Sequence, residues 1–310
     1  MARSILVFVL AAAHLTAAAR AEGRKKPEPA NPPGVLFERN LEYSSPAKGP
    51  SLQLDVAWPA RAKKPCPAVV LIPGGTWLGG RREGTRPLQF ALAARGFVAV
   101  SIDYRQNPDQ PFPCQLNDAK CAVRWLRAKA ARLGIDKERV AAVGYSAGGN
   151  VACMLGLTRP ADRLEETGGN RDQPSGVQAV ATFGGVSDLT RLYEDHCLAK
   201  PWTPWKGYLR YCIEVYMGGP PARCKDAYKK ASAISYARKG GAPMLLIHGT
   251  ADTLVPPSQS RRLAAKLKRA GAVVNLEEIE EGGHFLEGAH EQAAHEVLFK
   301  FLDRHLRRAE

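Results

Sequence analysis

A few residues set far apart along this chain could together break an acyl bond. Gly144-Tyr145-Ser146-Ala147-Gly148 reads G-x-S-x-G. That pattern suits a tight turn from strand to helix, with glycines that let the backbone pass and a serine hydroxyl left exposed. A serine hydroxyl is unreactive without a base. Seven histidines are available. His14 lies in the N-terminal segment, His248 ends an apolar run and reads as structural, and His290, His295 and His305 fall on the last expected helix. His284, in Glu281-Gly-Gly-His284-Phe285, rides a glycine loop able to carry an imidazole back over a sheet, and is the expected base. A third group must orient the imidazole and stabilise its cation. Asp252, in His248-Gly-Thr-Ala-Asp252, follows the preceding strand and takes that role. Its competitor, Asp188, also follows a strand but reads better as the cap of a local turn.

Acyl transfer also needs donors for the oxyanion. Pro73-Gly74-Gly75-Thr76-Trp77 follows an apolar run at 68–72. The N–H groups of Gly75 and Thr76 are expected to converge there with that of Ala147. Trp77 and Tyr145 are the expected substrate contacts, with Trp77 either beneath the loop or lining the acyl pocket.

These groups must be held at one sheet edge. Residues 52–58 alternate as a half-buried strand does, while 68–72, 97–102, 140–143, 177–183, 243–248 and 273–279 read as buried strands. Helices are expected at 86–95, 114–133, 147–157, 257–270 and 291–308. Strands alternating with helices give a parallel, doubly wound α/β sheet, which binds ligands at the carboxyl ends of its strands. Residues 187–239 break the alternation. They are rich in Trp, Tyr, Pro and Cys and read as an insertion or cap over the site.

Taken together, Leu71-Ile-Pro-Gly-Gly-Thr-Trp77, Ser101-Ile-Asp-Tyr-Arg105, Asp118-Ala-Lys-Cys-Ala-Val-Arg-Trp125, Gly144-Tyr-Ser-Ala-Gly-Gly149 and Leu246-Ile-His-Gly-Thr-Ala-Asp252 resemble the esterase/lipase branch of the α/β-hydrolase family. The likeness is to acetyl esterases and bifunctional acetyl/feruloyl (BD-FAE-like) esterases. The chain order Ser146, Asp252, His284 is that of this family. The resemblance implies an α/β-hydrolase fold and a serine carboxylic-ester hydrolase without a cofactor. Its substrates would be short-chain or carbohydrate-linked acyl esters, such as acetyl or feruloyl groups. One residue departs from the pattern. The family's oxyanion loop usually begins His-Gly-Gly, and here Pro73 stands at the His position. Asp103 and Arg105 read as a structural ion pair behind the loop.

Composition bounds the rest. The chain has 310 residues, 45% of them hydrophobic, which is enough to bury a large core and excludes overall disorder. The net charge is +14, yet its lysines and arginines are scattered, with no recognisable nucleic-acid-binding motif. Residues 1–21 have the layout of an export signal: Arg3, then an apolar run, then Ala19-Arg20-Ala21. Cleavage is expected after Ala21, giving a secreted or periplasmic protein with no membrane span. Residues 22–40 read as a Lys/Pro-rich linker and 41–310 as the catalytic domain. Seven cysteines show no zinc spacing, so no metal is expected. Cys153 reads as buried and unpaired, and one bridge would fit among Cys197, Cys212 and Cys224, with the pairing not fixed by spacing. Two alternatives remain at this level: a prolyl-oligopeptidase-like peptidase, and a non-catalytic binding protein on the same fold.

Overall fold

The buried runs form β3 (Cys66–Ile72), β4 (Val98–Ile102), β5 (Ile135–Tyr145), β6 (Ala179–Phe183), β7 (Met244–Gly249) and β8 (Val274–Ile279), preceded by β1 (Val35–Ser44) and β2 (Leu52–Pro59). In this computed structural model the residues described are 31–46, 49–62, 65–106, 110–164 and 168–307. The expected export signal and residues 22–30 of the expected linker lie outside them. Within one sheet the spatial order is β1-β2-β4-β3-β5-β6-β7-β8. The β1/β2 and β2/β4 pairs are antiparallel and the other pairs parallel.

β3 is buried along its whole length, as expected of a central strand with helices on both faces. Its side chains alternate between two cores. Val70 and Ile72 pack with α2 (Cys114–Ala128), α3 (Ala147–Leu157) and α6 (Ser258–Arg269). Val69 and Leu71 pack on the other face with α1 (Arg86–Ala94) and α7 (Ala289–Leu306). Between α3 and α6 lie α4 (Pro204–Met217) and α5 (Pro221–Ala231).

Four expectations change. Residues 35–40, taken as the end of the linker, are the first half of β1. Val35 is buried and Phe37 packs edge-on against Phe90 at 4.9 Å, so this segment has a core to join. The expected helix at 114–133 divides into α2 and a separate turn, Ala130–Leu133, closed by Gly134 at φ 64°. Asp103 and Arg105 do not pair with each other. The Arg105 guanidinium folds onto Asp118 of α2 at 2.8 Å, and Asp103 pairs with Arg82, which also bonds Asp55 at 2.9 Å. Each found a partner on a packed neighbour, so both remain structural. Finally, Cys197, Cys212 and Cys224 are not bridged. Burial pushes the Cys197 and Cys212 thiols up; Cys197 packs in the core as a small apolar group, while the Cys212 thiol shares hydrogen bonds with the Thr76 and Tyr208 side chains.

The insertion is built largely of helices. Thr203 caps α4 by accepting from Lys206 N at 3.2 Å, Pro204 takes the first helical position and Gly218 closes the helix at φ 80°. Among the described residues it contributes only Trp205 to the wall of the cleft described next, so it flanks that cleft more than it caps it.

Candidate active site

The chain leaves β3 for β4 on one side and returns to β5 on the other. This switch opens a crevice between the loops that follow β3 and β5. Ser146 stands at the tip of β5, in a backbone conformation (φ 52°, ψ −116°) that a non-glycine residue seldom adopts. Its N–H donates to the Phe183 carbonyl at 2.8 Å, and its carbonyl accepts from Gly149 N at 3.0 Å. The flanking glycines are dictated by contact. A Cβ on Gly144 would lie 2.2 Å from the Gly148 carbonyl oxygen, and one on Gly148 would lie 2.2 Å from that of Ile72. α3 starts at Ala147, so the Ala147 N–H lacks an acceptor within the helix and the helix N-terminus faces the serine.

His284 and Asp252 meet across the loops after β8 and β7. His284 Nδ1 donates to Asp252 Oδ2 at 2.6 Å. The other carboxylate oxygen, Oδ1, accepts from Leu254 N and Val255 N, each at 2.9 Å. Burial alone would raise the Asp252 pKa, but hydrogen bonds from His248 and His284 hold it well below the usual carboxylate range. His248 is fully buried, with Nε2 2.9 Å from the Val255 carbonyl and 3.2 Å from Asp252 Oδ2. Its Nδ1 faces Ser260 Oγ at 2.7 Å. It therefore braces the carboxylate, in keeping with its structural reading. Asp188 has the local job expected of it, accepting from Arg191 N at 3.0 Å. Gly184 was not anticipated. At φ 56° it lies beneath the pair, where a Cβ would sit 3.1 Å from His284 Nδ1.

Ser146 and His284 line one cleft of about 450 Å³, together with Gly75, Thr76 and Tyr145. Tyr145 stacks on Phe183 at 4.6 Å. Trp77 does not reach the cleft. It is fully buried and stacked on Tyr216 of α4 at 4.7 Å and 8°, so it supports the loop from below and is no substrate contact. Gly75, Thr76 and Trp77 all have positive φ (120°, 54° and 64°), which turns the loop sharply over the serine. Residues missed from the sequence include Arg81, Leu88, Trp205, Leu254, Phe285 and Glu291, which also line the wall. Phe285 could have been found, since it follows the expected base His284 directly. Among the described residues, no group of three or more His, Cys, Asp or Glu could hold a metal ion, and no helix is long and apolar enough to cross a membrane.

The sequence profile of the BD-FAE family matches residues 54–267. The chain belongs to that family. Two curated Mycobacterium tuberculosis proteins are similar to it. Esterase LipQ is 32% identical over 66% of this chain and 47% of its own length. Esterase LipC is 31% identical over 78% of this chain and 59% of its own. The chain thus spans about half the length of these relatives. Among solved structures, the butyrate-bound esterase Est2 of Thermogutta terrifontis aligns with a TM-score of 0.72 at 28% identity, covering 93% of this chain and all of that one. A bifunctional GH43-CE protein of Bacteroides eggerthii aligns with a TM-score of 0.76 at 27% identity, covering 87% of this chain and 38% of that one. These neighbours place the chain in the α/β-hydrolase fold.

In this BD-FAE chain another side chain braces the loop that begins at Pro73. The buried Tyr104 hydroxyl lies 3.1 Å from the Pro73 carbonyl and 3.4 Å from that of Gly74. The Gln106 amide donates to the Gly80 carbonyl. Proline fixes its own φ and offers no N–H, so carbonyls are what the segment can present to a brace. Tyr104→Phe keeps the ring and removes the donor. We expect kcat on p-nitrophenyl acetate to fall about three- to tenfold, the worth of one buried hydrogen bond, with KM within about twofold. Steady-state kinetics checks this. An unchanged kcat would mean that the loop holds itself.

Proposed function

We propose that this chain is a carboxylic ester hydrolase whose nucleophile, base and orienting acid are Ser146, His284 and Asp252. The single observation that carries the reading is the 2.6 Å contact of His284 Nδ1 with Asp252, with the imidazole and Ser146 lining the same cleft. His284 Nε2 takes the Ser146 proton as Oγ attacks the ester carbonyl. The Gly75, Thr76 and Ala147 N–H groups receive the oxyanion, and losing one such donor typically costs about 3 kcal/mol of barrier. Collapse of the tetrahedral intermediate expels the alcohol, which His284 protonates. Water, deprotonated by the same imidazole, then frees the acid and restores Ser146.

Short acyl groups are the proposed acyl class. Est2 has been seen with butyrate and with propionate. Carbohydrate-linked alcohols are the proposed leaving groups, and the likeness to the GH43-CE protein supports them. Export by the first 21 residues, with mature protein beginning after Ala21, belongs to the same proposal.

Est2 is phosphorylated by paraoxon and phosphonylated by sarin. Paraoxon is accordingly expected to label this chain once, on the peptide containing Ser146, and to abolish hydrolysis of p-nitrophenyl acetate and butyrate in step. Peptide mass spectrometry locates the label. Inhibition with the label on another residue, or no hydrolysis of either ester, would overturn the proposal.

A further inference from the structure

The start of α4 carries an aromatic run that begins in the cleft wall, touches the Thr76 side chain through Tyr208, and continues to residues given no role in the ester chemistry. Trp205, in the cleft wall, has its ring 5.8 Å from that of Tyr208. Tyr211 follows one turn on, and Trp202 lies just before the Thr203 cap. Trp202 is 59% exposed, Tyr211 55% and Tyr208 40%. From Trp205 to Tyr211 the helix rises about 9 Å, so the run extends about that far from a residue of the cleft wall.

One detail separates this run from incidental exposure. The residue before a helix cap often packs on the fourth helical position, which here is Gly207. A Cβ on Gly207 would lie only 2.8 Å from Trp202 Cζ2. Glycine inside a helix costs about 1 kcal/mol relative to alanine. Gly207 lies inside the helix, where no left-handed turn requires glycine. The sequence therefore accepts a weaker helix and in return lays an exposed indole flat against it. A ring that is exposed and also fixed is preorganised for contact.

We propose that Trp202, Tyr208 and Tyr211 form a subsite for a chain of sugar rings belonging to the alcohol side of the ester. This rests on the ester-hydrolase reading. Pyranose rings offer C–H faces that lie flat on aromatic rings and hydroxyls that reach their polar tips. The strip meets the cleft at Trp205, whose ring neighbours that of Tyr208. Its neighbours on α4 are Lys206, Arg210 and Glu214, of mixed sign, which suits a neutral polymer better than an anionic membrane.

Wild-type protein and the Trp202→Ala/Tyr211→Ala variant would be compared on p-nitrophenyl acetate and on acetylated xylo-oligosaccharides of two to six rings. The variant is expected to hydrolyse p-nitrophenyl acetate within about twofold of wild type. Wild-type kcat/KM should rise about tenfold or more with oligosaccharide length, through KM, and this rise should vanish in the variant. Gly207→Ala, which strengthens the helix and displaces the indole, should weaken the rise without lowering the melting temperature. A rise of equal size in the double variant, or none in wild type, overturns the subsite. So does loss of vesicle binding or of self-association in the variant while the length dependence persists. Failure of wild type on p-nitrophenyl acetate instead sinks the ester reading. The subsite is then tested separately by quenching of tryptophan fluorescence with unacetylated xylohexaose, which must weaken about tenfold in the double variant for the proposal to stand.

Discussion

Ser146→Ala is expected to lower turnover of p-nitrophenyl acetate by about 10⁴- to 10⁶-fold, the range seen when a serine nucleophile is removed from an intact hydrolase site. The protein should still fold. The left-handed backbone at position 146 is set by hydrogen bonds that alanine keeps, from N–H to the Phe183 carbonyl and from Gly149 N to the residue's own carbonyl. Serine and alanine present the same Cβ, so the strain of φ 52° is unchanged. The melting temperature should stay within a few degrees, and paraoxon labelling should vanish. Residual activity above about 1% of wild type, with the fold intact, would place the nucleophile elsewhere. Gly148→Ala would fail differently. Its methyl would press on the Ile72 and Pro73 carbonyls, so activity would be lost together with the packing of β3 against α3.

The tight turn that carries Ser146 was legible because each of its constraints is local. Gly144, Ser146 and Gly148 record backbone clashes within a few residues, and α3 begins and ends where its apolar run does. The central strands were legible for a related reason: a strand buried on both faces shows as one unbroken apolar run. What stayed hidden depends on partners distant in sequence. β1 lost its period of two because Asn40 takes a left-handed φ of 58° and the pairing with β2 shifts between Glu38 and Leu41. The partner of Arg105 lies on α2, and the sequence next to Arg105 offered Asp103 instead. Trp77 resembled a pocket residue because nothing nearby shows that Tyr216 stacks on it from the insertion. The insertion helix itself carried readable signals, Thr203-Pro204 at its start and Gly218 at its end, which its dense aromatic content obscured.

Asp252→Asn is expected to cost about 10⁴-fold in kcat, although it preserves shape and most contacts. On the proposed mechanism His284 Nδ1 keeps its proton and donates a hydrogen bond to Asp252 Oδ2 at 2.6 Å, which leaves Nε2 free to accept from Ser146. An asparagine turned so that its NH₂ faces Nδ1 would place the ring proton on Nε2, and the base would be blocked. Turned the other way, the amide oxygen keeps the tautomer but loses the negative charge that stabilises the imidazolium. The amide NH₂ would also point at Leu254 N and Val255 N, two donors that now bond Oδ1. Stability should change with a definite sign. The folded-state pKa of Asp252 is depressed, so its carboxylate stabilises the fold above the ordinary carboxylate pKa, and that contribution is lost as pH falls toward the folded value. The wild-type advantage over Asp252→Asn in urea unfolding should thus be full at neutral pH and shrink steadily below about pH 4. An advantage that grows in acid would contradict the buried, doubly histidine-bonded carboxylate. A variant retaining more than a tenth of wild-type kcat would remove Asp252 from the relay.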